Sequence, residues 1–256
     1  MAYDLRHLGL YEGMTVIVHS SLSSVGWVCG GPVAVIQALM DVVTDKGTII
    51  MPAHTGGYSD PCDWRNPPVP QEWWPIIRDT MPAFEPKITP TSFMGIIAET
   101  FRSFDGVIRS SHPSVSFSAW GDHAEFITGN HLIDYSLGET SPLARVYDLD
   151  GWVLLLGADY GSNTSFHLSE YRVPGQQVCK SGAPIIENGI RVWRTYEDIE
   201  FNTELFEAIG EEFEKDCSII KELVGSAESR LFKQRLCVDY AKDWITKKRM
   251  ELIVNE

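Results

Sequence analysis

The stretch Trp152-Val153-Leu154-Leu155-Leu156-Gly157, continuing Ala158-Asp159-Tyr160-Gly161-Ser162-Asn163-Thr164 and Ser165-Phe166-His167-Leu168-Ser169-Glu170-Tyr171, decides how the chain is read. The uninterrupted apolar run is a strand buried on both faces. The Gly, Ser and Asn cluster after it is a turn. Asn163 or Thr164 is placed to cap a short helix that follows. On that helix His167 and Glu170 are three apart and share one face. A histidine just past the carboxyl end of a buried strand sits where open α/β sheets hold their ligands. The position suits a general base. From spacing alone, a core histidine bonded to its neighbours is the simpler reading.

Outward from this stretch the same grammar repeats. Asp4 to Leu10 reads as a short opening helix closed by Gly13, and Thr15 to His19 as an apolar strand. That strand runs into a small-residue loop, Ser20-Ser21-Leu22-Ser23-Ser24-Val25-Gly26. Gly30-Gly31-Pro32 opens a helix over 33–43, with proline in its first turn, and Thr48 to Met51 is the next strand. This β-loop-α-β unit implies an α/β fold with a mostly parallel or mixed central sheet flanked by helices. Residues 52–90 break the pattern with nine prolines and three tryptophans, an ordered excursion rather than a linker. Helices are expected over 94–101 and from His123. Short strands are expected at 184–186 and 191–193, and partly helical segments at 205–215 and 231–250. No internal repeat is visible.

Composition excludes several classes. The chain has 256 residues, 44% of them hydrophobic, enough for a substantial core. Its net charge of -14 argues against nucleic acid as a partner and favours a cationic one. The same charge also simply keeps a protein soluble. Five scattered cysteines form no Cys-x-x-Cys pair, which suits a reducing cytoplasm. No apolar run approaches the roughly 20 residues of a membrane span, and the first residues form no signal segment. His19, His54, His112 and His167 fall in no metal-ligand spacing, so no metal is expected.

Beyond the His167 helix, three groups can carry chemistry. The loop His19 to Gly31 offers hydroxyls and amides at a strand end, next to a helix amino terminus, and so a cradle for phosphates. It is neither a Walker loop nor Gly-x-Gly-x-x-Gly. Arg109-Ser110-Ser111-His112-Pro113-Ser114 offers a guanidinium and hydroxyls, or is a surface turn. In Tyr196-Glu197-Asp198-Ile199-Glu200-Phe201, strand alternation puts Asp198 and Glu200 on one face and Ile199 and Phe201 on the other. Paired carboxylates there orient a histidine, bind an ammonium group, or form a solvated edge.

Taken together, the segments Val16 to Gly26, Gly47 to Pro52, Ser111-His112-Pro113, Leu137 to Leu143 and Asn163 to Glu170 resemble the aminoglycoside N3-acetyltransferase family, including its bacillus-type members. The resemblance spans about residues 5–245. It implies one antibiotic N-acetyltransferase-like domain over 1–256, distinct from the GNAT fold, with the excursion at 52–90 inside it. It implies transfer of acetyl from acetyl-CoA to the 3-amino group of 2-deoxystreptamine, inactivating the antibiotic. The family's catalytic histidine falls on His167, its acidic partners on Asp198 and Glu200, and its threonine beside the thioester on Thr164. Glu170 remains a third candidate to orient His167. The loops that contact CoA fall on His19, Ser20, Ser21, Leu22, Ser23, Val25 and Gly26, and on Arg109, Ser111, His112, Pro113 and Ser116. Asp60, Glu139, Asp198 and Glu200 are candidates to hold the ammonium groups of a polycationic acceptor. The protein is expected to act as a monomer or homodimer.

The thioester is already activated, so neither metal nor enzyme nucleophile is required. A base must take the proton of the attacking amine, and histidine suits that task. Amide N–H groups or Thr164 can hold the developing oxyanion. Three alternatives stay open: transfer to another small amine, a non-catalytic CoA-binding protein, and a metallohydrolase using His19, His54 and His167.

Overall fold

The computed structural model describes residues 1–254. The first half contains α1 (Ala2–Leu8), β1 (Thr15–Ser20), α2 (Leu22–Val25), α3 (Gly31–Val43), β2 (Thr48–Pro52), α4 (Trp74–Thr80), α5 (Gly95–Phe101), β3 (Ile108–Arg109), β4 (Phe117–Gly121) and α6 (Ala124–Thr128). The second half contains α7 (Pro142–Asp148), β5 (Trp152–Leu156), α8 (Ser165–Arg172), β6 (Val178–Glu187), β7 (Ile190–Ile199), α9 (Phe206–Asp216), β8 (Ile220–Val224), β9 (Ala227–Lys233) and α10 (Gln234–Val254).

The apolar runs of β1, β2 and β5 lie side by side, because strands buried on both faces belong at the centre of a sheet. The seven-stranded sheet has the order β3-β4-β2-β1-β5-β9-β8. β1 pairs in parallel with both β2 and β5. The flanking pairings are antiparallel, so the sheet is mixed, with a parallel centre.

Side-chain alternation builds two cores from the same strands. Val16, Val18, Ile49, Met51, Leu154 and Leu156 pack on one face against Leu39 and Phe101 of α3 and α5. Ile17, Ile50, Val153 and Leu155 pack on the other face, in a core with Phe166, Phe206, Phe213 and Phe232.

Two glycines mark close approaches. At Gly157, φ is +64° and a Cβ would lie 2.7 Å from Ser24 Cβ, so glycine lets the serine loop close onto the end of β5. At Gly210 in α9, a Cβ would lie 1.9 Å from Cγ of Tyr160, a buried ring whose hydroxyl donates to Glu214 at 3.1 Å. Gly210→Ala should therefore destabilise the protein by about 3 kcal/mol, the upper range for overpacking a core. Gly56→Ala meets nothing within 4 Å and should change stability by no more than about 0.5 kcal/mol. Urea unfolding of the two variants checks this contrast.

The excursion is ordered by donors from elsewhere. Phe84 N donates to Pro184 O at 2.9 Å, and Arg191 donates to the carbonyls of Met81 and Arg78, fastening it to the β6–β7 hairpin. Residues 231–233, expected to begin a helix, instead complete β9, and the helix starts at Gln234. Among the described residues no helix is long and apolar enough to cross a membrane.

Candidate active site

A cleft of about 750 Å³ opens at the carboxyl ends of β1 and β2 and beside the segment after β5. One wall is the serine loop from His19 to Ser23 with Gly26. Phe93 to Ile96 at the start of α5 also line the cleft, as do Ala158, Gly161, Ser162 and Thr164. Ser21 N donates to Leu156 O at 3.0 Å, which fixes the loop to β5. Ser21 Oγ accepts from Ser24 Oγ at 2.8 Å and lies 3.0 Å from Ser23 Oγ, so these hydroxyls hold the loop's shape. Val25 is turned into the core rather than toward the cleft, and the first residues of α3 do not line it.

Two buried polar atoms of cleft-lining residues have no protein partner: His19 Nε2 and Thr164 Oγ1. Buried polar groups left unpaired are costly, and a ligand is one way to satisfy them. Burial lowers the His19 pKa to about 3, so its ring is neutral.

One turn along α8 from Thr164 stands His167. The segment is set by Asn163, whose Oδ1 accepts from Ser165 N at 3.2 Å, while Thr164 makes no capping bond. His167 Nδ1 and Glu170 Oε2 are 2.7 Å apart, and both residues are buried. A carboxylate oxygen accepts only, so Nδ1 donates to Glu170, and in the tautomer this bond selects Nε2 carries the lone pair. Glu170 Oε1 in turn accepts from Asn202 N at 2.8 Å. Phe201 and Phe206 flank the imidazole with ring centroids at 4.6 and 4.8 Å. No sequence spacing pointed to this aromatic clamp.

The carboxylates after β6 are placed differently from the expectation. Asp198 is buried in β7 and accepts from Ser136 Oγ at 2.5 Å, from Ile199 N at 2.9 Å and from the Tyr171 hydroxyl. It ties α8 to the hairpin. β7 ends at Ile199, so the alternation that would put Glu200 on the same face stops one residue short, and Glu200 is exposed. Phe201, expected away from the histidine, lies against it.

The loop 109–116 does not line the cleft. Arg109 donates to Ser116 Oγ and to the carbonyls of Ala53, Pro86 and Thr89, and its guanidinium lies 5.0 Å over the Phe84 ring. The irregular excursion leaves carbonyls unpaired, and Arg109 satisfies them instead of a phosphate. Burial lowers its pKa to about 10. His112 Nε2 donates to Ile133 O at 3.2 Å, and its Nδ1 accepts from Ser114 N and Val115 N. Ser116 Oγ donates to Ala53 O at 2.8 Å. Ser111, His112 and Pro113 line a separate cavity of about 350 Å³ beside Phe84 and His131.

Asp60 and Glu139, expected to meet ammonium groups, are paired with arginine. Asp60 accepts from Arg78 Nε and Nη2 at 3.0 and 2.7 Å. Burial pushes its carboxyl up, but these bonds outweigh it and hold the pKa below the ordinary value. Glu139 accepts from Arg172 Nε and Nη2 at 2.7 and 3.0 Å, which lowers its pKa. Among the described residues, no three His, Cys, Asp or Glu side chains are grouped to hold a metal ion.

Residues 17–246 match the family model described as aminoglycoside 3-N-acetyltransferase. The chain is 54% identical over 242 residues to the SPbeta prophage-derived aminoglycoside N(3')-acetyltransferase-like protein YokD of Bacillus subtilis, covering 94% of this chain and 89% of that one. The crystal structure of YokD superposes with a TM-score of 0.96 over 97% of this chain and 93% of that one, at 52% identity. Aminoglycoside N(3)-acetyltransferase VII of Streptomyces paromomycinus is 36% identical, with 97% and 91% of the two chains covered. The binary complex of AAC-IIIb with CoASH superposes with a TM-score of 0.86 at 30% identity, over 96% of this chain and 95% of that one. AAC-VIa bound to sisomicin gives 0.87 at 27% identity, over 96% of each. On sequence and architecture alike, the chain belongs to the aminoglycoside 3-N-acetyltransferase family.

Proposed function

We propose that this protein is an acetyl-CoA-dependent acetyltransferase that modifies the 3-amino group of 2-deoxystreptamine aminoglycosides and so confers resistance. The observation that carries this reading is the 2.7 Å His167–Glu170 pair, one helical turn from Thr164, a cleft-lining residue whose buried hydroxyl has no protein partner. Relatives with the same architecture are solved with CoASH and with sisomicin, which supports the assignment of both substrates.

In this reading the acyl donor supplies an acetyl group already activated as a thioester. His167 Nε2 takes the proton from the amine as its nitrogen bonds to the acetyl carbon, and Glu170 stabilises the resulting imidazolium. Thr164 Oγ1 donates to the carbonyl oxygen as negative charge develops there. The C–S bond then breaks, the thiolate takes up a proton, and the products are the N-acetyl compound and free CoA. The serine loop holds the donor. Asp198, through Tyr171, is a positioning residue for α8. The charge of -14 draws in a polycationic acceptor.

We also assign the whole chain to one domain, active in the cytoplasm as a monomer or homodimer and needing no metal. The test is thiol release from acetyl-CoA across a panel of aminoglycosides and unrelated amines. Turnover should require an aminoglycoside bearing 2-deoxystreptamine. Turnover only with the unrelated amines would overturn the choice of acceptor and leave the acetyl-transfer chemistry standing.

A further inference from the structure

Phe93 is fully exposed and has φ of +60°. That region of backbone space is sterically unfavourable for a bulky L residue. The ring buries no surface in the fold, so its own packing does not offset the strain. The backbone is pinned from both sides instead. Ser92 N donates to His54 O at 2.7 Å, and Thr91 N donates to Glu99 Oε2 at 2.8 Å. Just beyond, Gly95 packs beside the Ser20 carbonyl. The fold thus holds an exposed aromatic ring at the 750 Å³ cleft that the serine loop also lines. Met94 and the half-exposed Ile96 extend the same apolar surface into the cleft.

His54, whose carbonyl anchors Ser92, lies within electrostatic reach of both His167 and His19. Phe93 lines the same cleft as Thr164 and the serine loop. Strain of this kind at an exposed residue points to a function carried by that residue. An aromatic face without an intramolecular partner gains its burial only when a ligand lies against it.

We propose that Phe93 covers the acyl-pantetheine arm of the donor and shields the thioester from water. This rests on the acetyl-CoA reading of the cleft. The arm is a flexible chain with apolar methylenes and a gem-dimethyl group, which suits a ring face and the Met94–Ile96 surface. Shielding matters because water competes with the amine. Water attack on the same carbonyl carbon breaks the C–S bond and yields acetate and free thiol without any acetylated product.

The test compares wild type with Phe93→Ala and Phe93→Gly, using acetyl-CoA and S-acetylpantetheine, which lacks the nucleotide. Both variants should raise the KM of both donors about tenfold, equivalent to about 1.4 kcal/mol. The aminoglycoside KM should stay unchanged, and the share of turnover that yields acetate rather than N-acetyl product should increase. Phe93→Gly should melt at or above the wild-type temperature, since glycine adopts this backbone freely, so lost binding is not lost folding. Phe93→Trp should restore the donor KM. Unchanged donor KM in both truncations overturns the proposal. So does a rise with acetyl-CoA but not with S-acetylpantetheine, which would put the ring on the nucleotide. Wild-type protein that binds neither donor overturns the acetyl-CoA reading itself, and this proposal with it.

Discussion

His167→Ala should lower turnover by roughly 10²- to 10⁴-fold while leaving acetyl-CoA affinity nearly intact. The affinity should survive because His167 is not among the residues lining the cleft assigned to the donor. The turnover should not, because the amine then loses the group that accepts its proton. Glu170→Gln makes the finer distinction. It keeps the side-chain volume but removes the charge 2.7 Å from Nδ1 and lets the amide donate where only an acceptor fits. Turnover should fall about 10²-fold or more, as when a histidine base loses the carboxylate that sets its tautomer. Asp198→Asn instead disturbs bonds to Ser136 and Tyr171 and should act on stability more than on turnover. Steady-state kinetics with calorimetric binding of CoA separates these outcomes. Near-normal turnover in His167→Ala would remove the base from the mechanism.

The protein should also lose stability steeply as pH falls from 6.5 toward 5. Burial lowers the pKa of His19, His54 and His131 to about 3 and of His112 to about 4. For His54 the neighbouring histidines and Arg109 disfavour its protonated form further. A depressed histidine is neutral when folded but protonated in the unfolded chain below about 6.5, so the unfolded state binds more protons there. Stability is therefore full above pH 6.5 and falls with pH down to the folded values near 3 to 4. By pH 5.5 each ring costs about 1.4 kcal/mol, or roughly 6 kcal/mol for all four, comparable to a typical total stability. His112 shows why the rings resist protonation: its Nδ1 already accepts two backbone N–H groups and cannot also carry a proton. Glu99 and Glu214 do not produce this early loss. Burial raises Glu99 and Glu214, but bonds from Arg102 to the first, and from Lys221 and Arg230 to the second, outweigh it and bring both to about 2. Their contribution is present above about pH 4.5 and fades only as pH falls toward 2. Urea unfolding at pH 7 and 5.5 measures the difference, and equal stability at the two values would contradict neutral burial of these rings.

How much of this was legible depended on whether the partners were local. The continuous apolar runs of β1, β2 and β5 announced the parallel centre, because strands buried on both faces need no alternation to be recognised. The His167–Glu170 pair was legible because three residues along a helix is one face. The β8–β9 hairpin was not, because Ile220 to Leu223 form an exposed edge strand whose composition carries no burial signal. Arg109 was misread because the carbonyls it satisfies belong to Ala53, Pro86 and Thr89, which no spacing connects to it. Asp198 and Glu200 were misread because the alternation assumed for both ends with the strand at Ile199. Phe93 gave no sequence signal, since its backbone is set by His54 and Glu99.

The most direct measurement of the proposed activity is the structure of the product formed from acetyl-CoA and a 2-deoxystreptamine aminoglycoside. Mass spectrometry should show the addition of one acetyl group, and NMR should place it on the 3-amino nitrogen. An acetyl group on another ring position, or an antibiotic recovered unmodified after incubation with acetyl-CoA, would contradict it.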